Sequence, residues 1–402
     1  MQTILEVRQL RILHTADWHL GKTLEGRSRL KEQAQFLDEL YEIVVKEKID
    51  VILMAGDVFD TVNPPAGAEK LFYESISRLS DRGKRRVIII SGNHDSPERL
   101  QAAAPLAKEQ AIELIGYPRG DVLTVEVPRT NETMKLAALA YPSEARLNEL
   151  LSNEYDELLL REHYDEKIRG LFTMMSREFE PHTVNIAMSH LYVAGGSTTD
   201  SERPIEVGGA YTVRATSLPE KAQYVALGHL HRPQNVKKSN VPARYSGSPL
   251  AYSFSEAGYT KSVTVIDAKP GENAVVSEIY LSSGKPLVKW KATGGLLQVH
   301  QWLEEGRDKN AWIDLEIFLT DSLSLEEIHR LRKWHDGFIH IRPIFEKEAE
   351  KVQQERRENL PIDEMFKRFY KKQTGGAEPE AELIELFMTL LSEDLKEEGA
   401  QS

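Results

Sequence analysis

The chain alternates short apolar runs with amphipathic stretches, and that alternation sets the expected order of strands and helices. Leu10 to Ala16, Val51 to Ala55, Val87 to Ile90, Val184 to Ser189 and Tyr224 to Leu227 are mainly apolar runs of strand length, the first interrupted by Arg11 and His14 and the fourth by Asn185. Runs of this kind predict strands buried on both faces. Between them, Gln33 to Lys46 carries Phe36, Leu37, Leu40, Ile43 and Val44 at helical spacing. Pro64 and Pro65 open a second helix with Leu71, Phe72, Ile76 and Leu79 along one side. Val122 to Val127 and Leu136 to Tyr141 alternate as strands, and Val263 to Ile266 with Ala274 to Leu281 predicts a closing strand pair. The charged stretch Leu147 to Phe179 reads as helical, with no assignable chemistry.

Beyond Gly284 the pattern changes. Leu287 to Lys291, Leu296 to Leu303, Trp312 to Phe318, Leu325 to Trp334 and Phe338 to Ile344 predict a small β-α-β-α-β module. Its His300, His329, His335 and His340 have no ligand-like spacing and read as surface or packing residues. Two amphipathic helices are predicted at Pro361 to Lys372 and Glu380 to Glu398, separated by Gly375, Gly376 and Pro379. Neither has an evident core of its own, which leaves two readings: docking on a partner helix, or folding back onto the chain's own domain.

At 402 residues the chain has room for two to three domains. No apolar run of about 18 residues is present, so no helix is expected to span a membrane. Met1 to Leu10 contains Glu6 and Arg8 and lacks a cleavage site, so it does not read as a signal peptide. The absence of cysteine removes disulfides and thiolate ligands, fits a reducing compartment and leads us to expect a cytoplasmic protein. The formal charge of −12 makes the molecule as a whole unattractive to nucleic acid. A phosphate-bearing substrate therefore needs bound cations, a local basic patch or a partner.

Candidate chemistry sits where the apolar runs end. The first run leads into Asp17-Trp18-His19, the second into Gly56-Asp57-Val58-Phe59-Asp60 and the third into Ser91-Gly92-Asn93-His94-Asp95. His190 follows the fourth, and Gly228-His229-Leu230-His231 the fifth. Taken singly, each reads as readily as a polar turn. Ligands of open α/β sheets, however, collect outside the carboxyl ends of the strands, so the five converge. Asp17, His19, Asp57, Asn93, His190, His229 and His231 supply enough oxygen and nitrogen donors for a carboxylate-bridged pair of divalent metals. Two such ions hold the attacking and leaving oxygens of an in-line displacement at phosphorus, which makes phosphoester hydrolysis the expected reaction. His94 is left over to protonate the leaving oxygen, with Asp95 expected to orient it. Gly21-Lys22-Thr23 is not a nucleotide loop, because Ala16 stands where that motif needs glycine. The basic Arg27, Arg29 and Lys31 read as a solvated face, or as a contact to a phosphate backbone.

Taken in order, these motifs resemble the five motifs of the calcineurin-like metallophosphoesterases. His14 to Lys22 and Tyr245-Ser246-Gly247-Ser248-Pro249 resemble, more narrowly, that superfamily's nuclease subunits that work with a coiled-coil ABC-type ATPase. The resemblance spans about residues 11 to 255. It implies that Asp17, His19, Asp57 and His231 hold one metal and that Asp57, Asn93, His190 and His229 hold the other. His94 is then the catalytic imidazole, Asp95 its support, and manganese the preferred ion. The fold it implies is α/β: a metallophosphoesterase β-sandwich flanked by helices, with a small α+β capping domain and a C-terminal helical tail. The corresponding divisions are a nuclease domain at 1–283, a capping domain at 284–345 and a tail binding the ATPase at 346–402.

The activity so implied is a DNA nuclease. It would cut double-stranded ends as a 3′ to 5′ exonuclease and single strands or hairpins as an endonuclease, in DNA repair, recombination and replication. ATP would enter only through the partner. A homodimer is implied through helices at about 66–79 and 97–107, within a heterotetramer at the nucleoid, with no membrane. The leader before Leu10 departs from the family's usual start. Two rivals are weighed: a small-molecule or phosphoprotein phosphoesterase on the same fold, and a non-catalytic scaffold. Against phosphoprotein phosphatases, no Arg follows Asp60 and the third motif ends in Asp95 rather than Glu. Against purple acid phosphatases, the second motif lacks tyrosine.

Overall fold

The computed structural model describes residues 9–154, 163–202, 211–319 and 322–345, and beyond them 366–367, 370–371, 379–381, 383–384 and 386–387. Most of the leader and most of the two tail helices expected at Pro361 to Lys372 and Glu380 to Glu398 lie outside the described residues. The chain divides into two compact units. One comprises residues 1–290, 302–315 and 329–341, the other 291–301, 316–328 and 342–402.

Two six-stranded sheets form the body of the first unit. The first runs in the order Val275–Tyr280, Ser262–Ala268, Leu10–Thr15, Val51–Ala55, Arg86–Ile90, Ile112–Ile115. Its last four strands are parallel, and the closing pair at 262–280 is antiparallel, as the sequence pattern predicts. The second runs in the order Gln234–Asn235, Ala243–Tyr245, Tyr224–Gly228, Val184–His190, Glu132–Leu139, Leu123–Val127, with parallel pairing at its centre.

Strand side chains alternate between faces, and here each face meets a different core. Ile12, Val51, Leu53, Ile88 and Ile90 point into a core shared with Met134, Leu136, Ile186, Met188 and Ala226 of the other sheet. Their neighbours Leu13, Ile52, Met54, Val87 and Ile89 point the opposite way, onto Phe36, Leu40 and Val44 of helix Leu30–Lys46 and Phe72, Ile76 and Leu79 of helix Ala66–Ser80. The second sheet is covered likewise, Leu139, Ala187, Val225 and Leu227 meeting Ile168, Leu171 and Phe172 of helix Tyr164–Met175. The result is a β-sandwich flanked by helices. Burial on both faces is why the strands read as mainly apolar runs.

The expected β-α-β-α-β order after Gly284 is present: strands Leu287–Ala292, Trp312–Leu319 and Phe338–Phe345 form a three-stranded sheet, with helices Gly295–Glu304 and Leu325–Trp334 between them in sequence. The basic stretch divides: Lys31 is exposed, as a solvated face expects, while the two arginines turn to internal partners. Arg29 is fully buried, pairs with Glu32 at 2.6 Å and donates to the Ala251 carbonyl at 3.0 Å. Arg27 donates to the carbonyls of Asp336 and Phe338. Both cations are spent on internal partners, so they form neither a solvated face nor a phosphate contact.

Candidate metal centre

Five strand ends meet at one edge of the sandwich, three from the first sheet and two from the second. Parallel pairing puts the residues after Leu10–Thr15, Val51–Ala55 and Arg86–Ile90 side by side, and Tyr224–Gly228 lies parallel to Val184–His190. The loops lock together: Asp17 N–H donates to the Gly56 carbonyl and His19 N–H to the Asp57 carbonyl, both at 3.0 Å. Asp17, His19 and Asp57 adopt left-handed φ of 54°, 46° and 54°, and His229 a φ of 104°. Such conformations cost about 1–3 kcal/mol each for non-glycine residues and persist where the surrounding structure imposes them. Four strained residues in one cluster mark a functional site.

Two glycines let the site close up, Gly92 between neighbouring loops of the first sheet and Gly228 between the two sheets. A methyl group on Gly92 would lie 2.1 Å from Asp57 Oδ1, and one on Gly228 would lie 1.8 Å from the Ala55 carbonyl oxygen. Neither position tolerates a side chain without displacing the site.

The structure brings together all seven residues expected as ligands. His19 Nε2 faces His231 Nε2 at 3.0 Å. Asp57 Oδ2 lies 3.6 Å from His19 Nε2 and 3.4 Å from His190 Nε2. Asn93 Oδ1 is 2.9 Å from His190 Nε2 and 3.3 Å from His229 Nδ1. Asp17 accepts the His229 amide at 2.9 Å and lies 3.9 Å from His190 Nδ1. Ligand atoms of Asp17, His19 and His231 fall within 4.8 Å of one another, as do those of Asp17, Asp57 and His190 and those of His19, Asp57 and His94. All these histidines and carboxylates are buried.

This donor set fits divalent cations. His190 Nδ1 lies 2.9 Å from the Ala55 carbonyl, which can only accept, so Nδ1 carries a proton and Nε2 is the nitrogen turned toward Asp57 and Asn93. The site also has an excess of buried negative charge. Burial pushes His190 toward neutrality, yet the charge and hydrogen bond of Asp57, with Asp17 behind, raise its pKa to about 9. Burial likewise pushes Asp57 up, but His190 and His19 hold it well below the usual carboxylate range. His19, by contrast, is pushed down by burial to about 4, and His229 and His231 are pushed down for the same reason. His19, His229 and His231 are thus neutral imidazoles near an ionised carboxylate, the state that metal ligation needs, and His190 would give up its Nε2 proton to an arriving cation.

His94 and Asp95 are placed differently from each other. The His94 ring packs edge-on against His19 with 4.7 Å between centroids, and its Nδ1 lies 2.7 Å from the Asp60 carbonyl. The Asp95 carboxylate instead accepts the amides of Val58 at 3.1 Å, Phe59 at 2.9 Å and Gly92 at 2.8 Å. It therefore ties the second motif to the third, and a backbone carbonyl supplies the orienting bond expected of it. Burial and the nearby Asp57 raise Asp95 to about 6. Asp60, quoted in the motif but given no role there, also places its carboxylate 3.4 Å from His19 Nδ1 and 2.7 Å from Lys22 Nζ.

Comparison with known proteins agrees with this architecture. The model of the calcineurin-like phosphoesterases matches residues 10–233, and the chain belongs to that family. A second family model, described as a type 5 capsule protein repressor C-terminal domain, matches residues 283–374. The chain is 64% identical over 392 residues to the SbcD subunit of the SbcCD nuclease of Bacillus subtilis (strain 168), covering 98% of this chain and 100% of that one. Within the phosphoesterases it is thus a member of the SbcD nuclease family, hydrolases of phosphodiester bonds. Among solved structures, GAP50, the anchor in the inner membrane complex of Plasmodium, matches with a TM-score of 0.39 and 13% identity over 68% of this chain and 89% of that one. A dimetal phosphatase from Danio rerio matches with a TM-score of 0.37 and 12% identity over 67% of this chain and 99% of that one. No helix among the described residues is long and apolar enough to cross a membrane.

Proposed function

We propose that the chain is the manganese-dependent DNA nuclease of a complex with an SbcC-type coiled-coil ABC ATPase. It acts as a 3′ to 5′ exonuclease on double-stranded ends and as an endonuclease on single strands and hairpins, in DNA repair, recombination and replication. Asp17, His19, Asp57 and His231 would hold one Mn²⁺, and Asp57, Asn93, His190 and His229 the other. The observation that carries the reading is the position of Asp57, whose Oδ2 faces both His19 and His190. One carboxylate between two histidines, one from each expected donor set, is the arrangement of a shared ligand. When bound, the two cations neutralise the phosphodiester's charge and supply a nucleophile at neutral pH.

The chain's own groups do the rest. Asp57 Oδ1 accepts the His94 amide at 2.9 Å, which fixes the third loop against the shared ligand. The Asp60 carbonyl accepts from His94 Nδ1–H and so holds the orientation of the ring, leaving proton transfer to Nε2. As a water's oxygen bonds to phosphorus, losing a proton to solvent, and the bond to the leaving oxygen breaks, a doubly protonated His94 would deliver its Nε2 proton to that oxygen.

The division of labour follows the expected boundaries: nuclease at 1–283, cap at 284–345, and a tail at 346–402 that binds the ATPase and makes ATP a cofactor of the partner alone. Two copies pair through the helical segments at about 66–79 and 97–107, where Leu106 is 78% exposed, giving a heterotetramer with the ATPase. The assembly works in the cytoplasm at the nucleoid. The test is cleavage of a labelled DNA hairpin by the purified chain, with and without the ATPase, beside His94→Ser. Mn²⁺-dependent cutting lost in the variant supports the reading. Hydrolysis of a small phosphodiester without any DNA cleavage would replace it with a small-molecule phosphodiesterase.

A further inference from the structure

Behind His231, on the side away from the other donors, lies a buried polar cluster drawn from three distant parts of the chain. Ser201 Oγ is 2.6 Å from His231 Nδ1 and donates to Glu256 Oε1 at 2.6 Å. Glu256 is fully buried and also accepts the Tyr252 amide at 3.0 Å. Its other oxygen accepts a hydrogen bond from Lys261 Nζ, itself buried, which donates further to the His231 carbonyl at 2.9 Å and to Ser248 Oγ at 2.8 Å. Glu202 accepts the His231 amide at 2.7 Å and the Thr199 amide at 2.6 Å.

The turn Tyr245-Ser246-Gly247-Ser248-Pro249, which the reaction leaves without a task, belongs to the same cluster. Ser248 N–H donates to the His231 carbonyl at 3.2 Å, and a methyl group on Gly247 would lie 2.8 Å from that oxygen. Every polar group of His231 except Nε2 therefore has a partner in this cluster.

The direction of the hydrogen bonds follows from the donor inventory. An ionised Glu256 beside Lys261 can only accept, so the single hydroxyl proton of Ser201 goes to Glu256. Ser201 Oγ then accepts from His231 Nδ1–H. That fixes the tautomer of the imidazole and leaves Nε2 with its lone pair pointed at His19 Nε2, 3.0 Å away. Buried charge of this kind is costly unless paired, and removing one member of such a pair is strongly destabilising. Here the Lys261–Glu256 pair is held behind one ring.

We propose that Ser201, Glu256 and Lys261, braced by the 245–249 turn, are positioning residues that set the tautomer and orientation of His231 for metal binding. The inference rests on the reading of His231 as a ligand. None of the three touches the reacting atoms. Their effect reaches the site only through the His231 ring.

The test uses the full-length chain, stripped with chelator and titrated with manganese(II) chloride while free Mn²⁺ is followed by electron paramagnetic resonance. Ser201→Ala is expected to weaken one of two bound ions by about 10–100-fold, the usual cost of losing an outer partner of a ligating histidine, and to leave the other ion unchanged. Ser201→Thr, which keeps the hydroxyl, is expected to restore binding to within a few-fold. Glu256→Gln/Lys261→Met removes both buried charges together, avoids stranding either one, and should reproduce the loss. Long-range ¹⁵N–¹H correlation of histidine-labelled, metal-free protein should show His231 as the Nδ1–H tautomer in the parent and a mixture in Ser201→Ala. If His231→Ala weakens manganese binding and Ser201→Ala does not, the positioning role is overturned and the ligand reading stands. If His231→Ala itself binds both ions unchanged, the ligand reading falls and this proposal with it.

Discussion

The backbone amide of His94 donates to Oδ1 of Asp57 over 2.9 Å, while Oδ2 of the same carboxylate faces His19 and His190. On the proposed reading, the carboxylate shared by the metals and the proton donor are thus one hydrogen bond apart. Asp57→Asn should weaken both manganese ions together, by more than the about 10–100-fold that an outer-partner loss costs, because it removes the charge from a ligand common to both. Titration followed by free-Mn²⁺ resonance separates the two sites. Weakening of one ion alone would show that Asp57 is not shared.

His94 should behave in the opposite way. Its ring is held from outside by the Asp60 carbonyl, and the seven other donors suffice for two ions. His94→Ser is therefore expected to lower kcat for hairpin cleavage by about 10²–10⁴-fold, the range for a general acid, while leaving manganese affinity within a few-fold. A parallel loss of metal binding would make His94 a ligand instead.

These residues were legible in the sequence because each sits at the end of a mainly apolar run. Double-sided burial of Val51 to Ala55 or Val87 to Ile90 makes a strand visible, and a parallel sheet gathers the strand ends. The partners of those residues were not legible. Ser201, 30 residues from His231 and 55 from Glu256, lies in a polar loop with no periodicity, and a buried Lys261 looks in sequence like any exposed lysine. Arg29 misled for the same reason: its charge is cancelled by Glu32 in a pocket only the folded chain creates. The Asp95 role was also missed, since a carboxylate beside a histidine in sequence need not face it in space.

Asp95 itself carries a stability prediction. Its two oxygens accept three backbone amides from two loops. Asn at this position offers one acceptor and turns N–H groups toward amides that also donate. Asp95→Asn should destabilise the folded chain by about 2–3 kcal/mol, in the range for losing buried bonds to a charged group. Urea unfolding of the metal-free protein measures it, and a change below about 0.5 kcal/mol would contradict the bracket.

His14 should set part of the acid sensitivity. It is fully buried, with Nδ1 3.0 Å from the Tyr224 hydroxyl, and burial together with the charge of Arg244 pushes its pKa down to about 3. The unfolded chain takes up this proton near its ordinary pKa of about 6.5, so below that pH the unfolded state binds more protons and gains. The stability tied to a neutral His14 is complete above about pH 6.5 and lost progressively as the pH falls toward 3. Each unit is worth about 1.4 kcal/mol, so roughly 2 kcal/mol should go between pH 6.5 and 5. In urea unfolding with chelator present, His14→Gln should lack this part of the slope. Equal slopes in the two proteins would show that His14 does not report the pH.

Gly228 tests whether the two sheets must touch for the site to exist. A methyl group there would stand 1.8 Å from the Ala55 carbonyl oxygen and 2.8 Å from His190 Nδ1. Those are the two atoms that meet at 2.9 Å to orient His190. Backbone cannot yield as a flexible side chain can, so Gly228→Ala must part the sheet ends, at an overpacking cost of about 1–3 kcal/mol or more. The parting moves His190 away from Asp57 and Asn93. Manganese binding should therefore fall further than stability alone explains, and still be weak at temperatures where circular dichroism shows the variant folded. A folded variant that binds both ions normally would mean that the contact between Gly228 and Ala55 closes the fold without shaping the site.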